Sequence, residues 1–427
     1  MNKHHTPTIE QRLQKRYAKL VKAHMHTGTR TAAGLTLPQG VKKAFTATQA
    51  AWRFFNNHHI KLSDLIVPLR ESGKEAVQTS LSSFALLVHD WSKLDYGTHN
   101  SKKDVAQLTH KHDRGYELTT ALLVSADTGL PFAPMELHLK AKRKFYSTRP
   151  GTKEDNHLNQ ILPTMEASKQ WQLSAAIVHV IDREADSVKH MRSWHEAGHL
   201  FLVRIDDRKV RWNDWEQKLA KVLPRLTFQP TEAVRYRKKK AQLYVAETEV
   251  TLDMPARGSN GILVPGKPLT ARLVVSRIVG KNNAVLAQWF LLTNVPVEAN
   301  ALTIARWYYW RWQIESFFKL LKSSGLELEY WQQETALAIA RRLLVAAMAC
   351  VTVWQLQRDK TTAAEKMKLI LMRLSGRATK RSRPITTPGL LHGLFVLLPM
   401  LELIEEYHGD LSLIRSLAFE TIPFLAL

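Results

Sequence analysis

Hydrophobic spacing along the chain changes character three times. In PTIEQRLQKRYAKLVKAHM, residues 7–25, Leu13, Tyr17, Leu20 and Val21 recur at helical spacing while Arg12, Lys15, Arg16, Lys19 and Lys22 lie mostly elsewhere. The interval 26–48, rich in Thr, Gly and Pro, predicts a loop, and further short helices follow with a turn at Asn56-Asn57. From about residue 81 the texture is strand-like. SFALLVHDWSKLDY (83–96) is an apolar strand that turns polar at His89-Asp90, and residues 116–145 read as two strands around a turn at Asp127–Pro131. Residues 155–171 are helix-like. SAAIVHVIDREAD (174–186) is a second buried strand turning polar at Asp182, with a helix to about Ala197 and a third strand in HLFLVRID (199–206). A hairpin followed by strand–helix–strand units predicts an α/β fold, a mixed sheet covered by helices. Residues 207–288 alternate as sheet segments do, with the basic run RYRKKK at 235–240; helical texture resumes near 299. No internal repeat is visible.

Charge narrows the function. The 427 residues hold 61 Lys+Arg against 38 Asp+Glu, a formal +23, so a polyanion is the expected partner, first of all double-stranded DNA. A membrane partner is not expected: no segment reaches ~18 uninterrupted apolar residues. The longest apolar run, LLVAAMACVTVW (343–354), follows Arg341 and Arg342 and reads as a buried helix. The first residues lack the apolar core of an export signal, and the single Cys350 excludes a disulfide framework and Cys-x-x-Cys zinc clusters, so a cytoplasmic protein is expected.

Three acids carry the candidate chemistry. Asp90 and Asp182 each follow an apolar strand, where α/β sheets usually build sites, although an Asp there also caps helices or closes turns. Glu315 is the one carboxylate in YYWRWQIESFFKLLK, residues 308–322. At about 100° per residue, Tyr308, Arg311, Glu315 and Lys322 fall in one stripe of a predicted helix roughly 60° wide. Trp307, Trp310, Ile314, Phe317, Phe318 and Leu321 fill the core-side arc. The same pattern suits an amphipathic helix with surface ion pairs. Phosphodiester chemistry uses two hard divalent cations about 3.5–4 Å apart, and such cations prefer carboxylates.

The residues also carry a resemblance. Asp90 in HDWS, Asp182 in IDREAD with FLVR (201–204) behind it, and the spacing Y308-x2-R311-x3-E315-x6-K322 resemble DDE transposases of bacterial cut-and-paste insertion sequences, within them the insertion-sequence-four family. The resemblance covers roughly residues 80–360. It implies a ribonuclease H-like catalytic core (81–206 and 289–361), interrupted by a β-rich basic insertion (207–288). A helical DNA-binding domain (1–80) and a helical C-terminal domain (362–427) would flank it, with 389–427 a candidate dimer contact. Asp90, Asp182 and Glu315 would hold two Mg²⁺ ions, with Mn²⁺ able to substitute. Arg311, Lys322 and Tyr308 would grip the backbone of the element's end. Trp289, in WFLLT (289–293), would stack on a flipped base, and Arg204 would face DNA; a core Trp and a structural ion pair are the plainer readings. The implied activity cleaves element ends, through hairpins, and joins the 3′ ends to target DNA as a homodimer on DNA, in the bacterial nucleoid.

Rivals exist within the sequence. Asp95 lies five residues past Asp90, and Asp186 follows Asp182 by a turn; both rank behind. HEAGH (195–199) satisfies His-Glu-x-x-His, but Gly198 and the strand that follows predict that its two His do not share a helix face. A non-catalytic DNA-binding relative and a plain ribonuclease H-like nuclease remain the alternatives to a transposase.

Overall fold

The computed structural model describes residues 6–26, 41–153, 156–236, 239–257, 262–377, 384–406 and 412. A 13-stranded mixed sheet forms the frame. Its strands are β1 (Phe84–Asp95), β2 (Arg114–Ser125), β3 (Pro131–Lys140), β4 (Phe145–Ser147), β5 (Ala176–Ile181), β6 (Leu200–Ile205), β7 (Lys209–Trp212), β8 (Trp215–Lys218), β9 (Gln229–Tyr236), β10 (Lys239–Leu252), β11 (Leu269–Val279) and β12 (Val285–Thr293). The spatial order is β4-β3-β2-β1-β5-β6-β12-β11-β10-β7-β8, with β9 paired to β10 and a two-residue strand at Ala106–Gln107 on β2. β1, β5 and β6 run parallel; β2 and β3 form an antiparallel hairpin beside β1. The strands of 207–288 continue this same sheet through β12.

Helices cover both faces. Besides a single turn at Leu219–Val222, they are α1 (Gln11–His26), α2 (Val41–Phe55), α3 (Leu62–Leu65), α4 (Val67–Gln78), α5 (Ile161–Ser168), α6 (Val188–Glu196), α7 (Ala301–Trp310), α8 (Trp312–Lys322), α9 (Ala336–Arg358), α10 (Thr362–Leu374) and α11 (Thr387–Glu406). Side chains alternate across a strand. Leu202 of β6 therefore joins the core under α7, α8 and α9, while Phe201 and Val203 join the opposite core with Met165 of α5 and Trp194 of α6. α9 packs on β3 and is enclosed by α1, α2, α4 and α11. Its most apolar window is 89% buried, so the run 343–354 is an internal helix. Arg342 at its start is fully buried over the Trp331 ring, 3.9 Å away, and donates to Gln333. α9 and α11 are both long and apolar enough to cross a bilayer, and the corresponding window of α11 is only 22% buried. Val396, Met400, Leu401 and Leu403 of α11 are exposed.

Several expectations change. The loop expected over 26–48 is helical from Val41: Ala51, Phe54 and Phe55 form the buried side of α2, a pattern its Thr residues disguise. Residues 27–40 lie outside the described residues, as do Arg237–Lys238 within the basic run, 378–383, and most of 407–427. The helix over 155–171 shrinks to α5 and a 3₁₀ turn, Lys169–Trp171. The helix expected through 308–322 is two helices. At Arg311 the backbone tightens to three-residue hydrogen bonds, Arg311 N–H to Tyr308 at 3.1 Å and Ile314 N–H to Arg311 at 3.2 Å.

Candidate active site

Strand parity and register assemble the site. β1 and β5 pair in parallel, and Val88 lies opposite Val180. Two residues further on are Asp90, within β1, and Asp182, just past the end of β5. Alternation sends Asp182 to the face of Val180, Arg204 to the face of Leu202 and Trp289 to the face of Leu291, which is the face α7 and α8 cover. Asp90 stands within β1, not after it as the sequence suggested. Pairing with β2 continues to Asp95 opposite Gly115, whereas pairing with β5 stops at Val88. The β5 side of Asp90 is therefore free of ladder contacts.

The break at Arg311 brings the third acid in. Trp307 donates its indole N–H to the Ala126 carbonyl at 3.0 Å, fixing α7 on the β2–β3 turn. Trp310 lies over Gly129 in that turn, whose φ of +69° favours glycine, and a Cβ there would meet the indole ring at 2.6 Å. With α7 anchored, the Arg311 guanidinium reaches Asp90 Oδ2 at 2.8 Å and closes a second ion pair with Glu315 on the first turn of α8. Both guanidinium branches thus hold acids that the sequence separates by more than two hundred residues.

Electrostatics agree with the geometry. Burial pushes the Asp90 carboxyl from its ordinary 3.8 up to about 6; Arg311 and the Trp91 N–H oppose the rise, and the charges of Asp182 and Glu315 add to it. Burial opposes the Arg311 charge, but Asp90, Tyr308, Glu315 and Asp182 more than compensate, so its pKa is raised. Burial likewise raises the Tyr308 hydroxyl, against the pull of Arg311 and of Arg204, which also hydrogen-bonds it. Asp182 accepts from the Glu184 N–H at 2.8 Å and so caps the 3₁₀ turn Arg183–Ala185. Helix capping and membership of an acidic group therefore coexist in one residue.

A cleft of about 450 Å³ opens beside this group. Arg204, Trp289, Tyr308 and Arg311 line it together with Trp310 and Trp312. Trp289 is half-buried and Trp312 exposed, so aromatic faces border solvent next to the acids. The run WYYWRW, 307–312, is the sequence signal for this wall, although spacing assigned Trp310 to the core. Lys322 stands at the other end of α8, where its Nζ donates to the Lys93 carbonyl at 2.7 Å and pairs with Glu329 at 2.9 Å. Glu329, which also accepts from the Asp95 N–H at 2.9 Å, had no signal in the sequence.

The rivals take other roles. Asp95 accepts from the Gly97 N–H at 2.9 Å at the exposed end of β1. Asp186 pairs with Arg208 at 3.1 Å. In HEAGH the helix ends at Glu196, His199 is buried against Glu166 at 2.7 Å, and His195 is exposed near Asn294. The two His do not face one ion.

The donor set Asp90, Asp182 and Glu315 is all oxygen, which suits hard divalent ions. Two like charges beside a carboxyl already burdened by burial make a pocket that favours a cation. Arg311 meets that demand here, and among the described residues no three His, Cys, Asp or Glu are arranged to ligate a metal.

A solved structure, the piggyBac transposase synaptic complex with hairpin DNA, is similar at 8% identity over 93% of this chain and 73% of that one, with a TM-score of 0.40. No curated protein matches the chain. The family described as "Transposase DDE domain" matches residues 86–351, a span that holds Asp90, Asp182, Glu315 and the helices between them. The chain belongs to the DDE transposase domain family.

Proposed function

We propose that the chain is a cut-and-paste DNA transposase of the insertion-sequence-four kind, built on a ribonuclease H-like core. The observation that carries this reading is the Arg311 bridge between Asp90 and Glu315, with Asp182 past the end of the neighbouring strand and near enough for its charge to act on Asp90. The order β3-β2-β1-β5-β6, with its hairpin and three parallel strands, supports the core assignment. Asp90, Asp182 and Glu315 would hold two divalent ions, Mg²⁺ or Mn²⁺. Such ions supply activation of the attacking oxygen and charge relief at the leaving one.

The chain's own residues do the rest. Arg311 leaves the carboxylates for a backbone phosphate, and Lys322 and Tyr308 hold the same strand; these contacts position DNA without reading it. Water attack exposes a 3′-hydroxyl at each element end. That hydroxyl attacks the opposite strand to form a hairpin, and after the hairpin reopens the 3′ end joins target DNA. Trp289 stacks on the base that the hairpin displaces, and the solvent-bordering aromatic wall beside Arg204 supports that role. The enzyme works in the cytoplasm as a homodimer on DNA, and the exposed apolar side chains of α11 support a contact there.

The test is a cleavage assay on duplexes carrying the terminal repeats that flank the coding region, with Mg²⁺ and with EDTA. Mg²⁺-dependent nicks at the repeat boundary, followed by hairpins on denaturing gels, are expected. Cutting indifferent to sequence would make the chain a plain nuclease. Binding to the repeats without cutting would make it a catalytically inactive relative.

A further inference from the structure

The hairpin that forms the sheet edge carries Lys140, Lys142, Arg143 and Lys144 within five positions. Lys142, Arg143 and Lys144 are exposed, and among the described residues their side chains meet no carboxylate. Three consecutive exposed cations, Lys142, Arg143 and Lys144, are an electrostatic footprint for a polyanion. The turn is also firmly held. The Ala141 N–H bonds the Lys144 carbonyl at 2.9 Å and the Lys142 N–H bonds the Asp104 carbonyl at 3.0 Å. Asp104 is itself fixed, its carboxylate accepting from Tyr116 at 2.7 Å and from the first N–H of α9 at 3.0 Å. Cations on a rigid turn lose little freedom when a ligand arrives.

Register locates the turn relative to the acids. Lys93 of β1 lies opposite Glu117 of β2, and Glu117 lies opposite Lys140 of β3. Lys322 donates to the Lys93 carbonyl, so the end of α8 lies on the β1 residue of that row, while the side chains of Lys93, Glu117 and Lys140 alternate to the face opposite Asp90. The turn 141–144 projects just past that row, at the end of the sheet toward which Asp90 points the chain. From Asp90 it is two strand spacings across and several residues along, roughly 15–25 Å. A duplex covers that distance in about five to seven base pairs at ~3.4 Å each.

We infer that a DNA duplex seated at the three acids runs past Lys322 and rests its phosphate backbone on Lys142, Arg143 and Lys144. The inference depends on the proposed function, since it places one end of the duplex at the acids. Glu329, which pairs with Lys322, is a carboxylate beside this path.

The test compares wild type with the triple variant Lys142→Gln, Arg143→Gln, Lys144→Gln, at matched thermal stability. Binding is measured by fluorescence anisotropy across a salt series. The probes are a short duplex ending two base pairs past the cleavage point, and duplexes extended by about fifteen pairs on the element side or on the flanking side. The variant should match wild type on the short duplex. On one extended duplex its salt slope should fall by about 0.9 per cation, up to ~2.7. The arm that shows the fall identifies the element interior or the flank as the occupant. Equal slopes on both extended duplexes would overturn the inference. If wild type binds no duplex, the proposed function fails and the inference falls with it.

Discussion

Arg311 donates to Asp90 Oδ2 at 2.8 Å, although the two residues lie 221 positions apart. The same side chain pairs with Glu315, so one guanidinium holds two acids whose charges repel. Replacing it with alanine leaves a buried carboxylate without its partner, a change that typically costs about 3–5 kcal/mol. Arg311→Ala should therefore lower the melting temperature in the absence of DNA. It should also reduce the salt slope of DNA binding by about one. An unchanged slope would return Arg311 to a purely structural role.

Asp90 gives the site a pH signature. Its carboxyl titrates near 6 when folded and near its ordinary 3.8 when unfolded. The folded state thus binds the extra proton between those values. Stability from this group is present at low pH and is lost as pH rises through about 6. The swing is on the order of 3 kcal/mol, since each pKa unit is about 1.4 kcal/mol. Asn cannot ionise, so Asp90→Asn should lack the swing. Urea unfolding of both proteins at pH 4 and pH 7 measures it, and wild type should lose stability relative to the variant at the higher pH.

The sequence made much of this arrangement legible, for identifiable reasons. Asp182 ends an apolar strand, Glu315 is a lone acid in an aromatic helix, and both signals are local. The α/β texture followed from strand runs alternating with helical spacing. Other features depend on pairing between distant segments. Asp90 lies inside β1 because β2 continues beside it where β5 does not, and no spacing within 83–96 records that. The break at Arg311 arises because Trp307 and Trp310 are pinned to the β2–β3 turn, nearly two hundred residues upstream. Glu329 meets Lys322 only through the fold. The buried charge of Arg342 likewise rests on Trp331 and Gln333, and a run of apolar residues after it gave no hint of those partners.

Gly129 should be intolerant of any side chain. It has φ +69°, and a Cβ would lie 2.6 Å from the Trp310 ring. Gly129→Ala should cost about 1–3 kcal/mol of stability through strain alone. It should also lower DNA cleavage more than DNA binding, because displacing Trp310 shifts Arg311 and Glu315. Equal losses in both would mean that the turn serves only folding.

Trp289 lines the cleft with Arg204 and Tyr308. If it stacks on a displaced base, Trp289→Ala should weaken binding to a hairpin-ended duplex by about 1–3 kcal/mol and leave blunt-ended binding nearly unchanged. Equal weakening for both substrates would assign Trp289 to the core between β11 and α7.

The central claim is that Asp90, Asp182 and Glu315 act together as one cation-dependent site. The most direct measurement is the end-nicking rate of wild type, Asp90→Asn, Asp182→Asn and Glu315→Gln, each at saturating DNA and across a Mg²⁺ titration. Each variant should bind the element end within a few-fold of wild type and nick it at least about a thousandfold more slowly, because groups that act as a unit fail together. A variant at any of the three positions that nicks at the wild-type rate with the wild-type Mg²⁺ dependence would contradict the account.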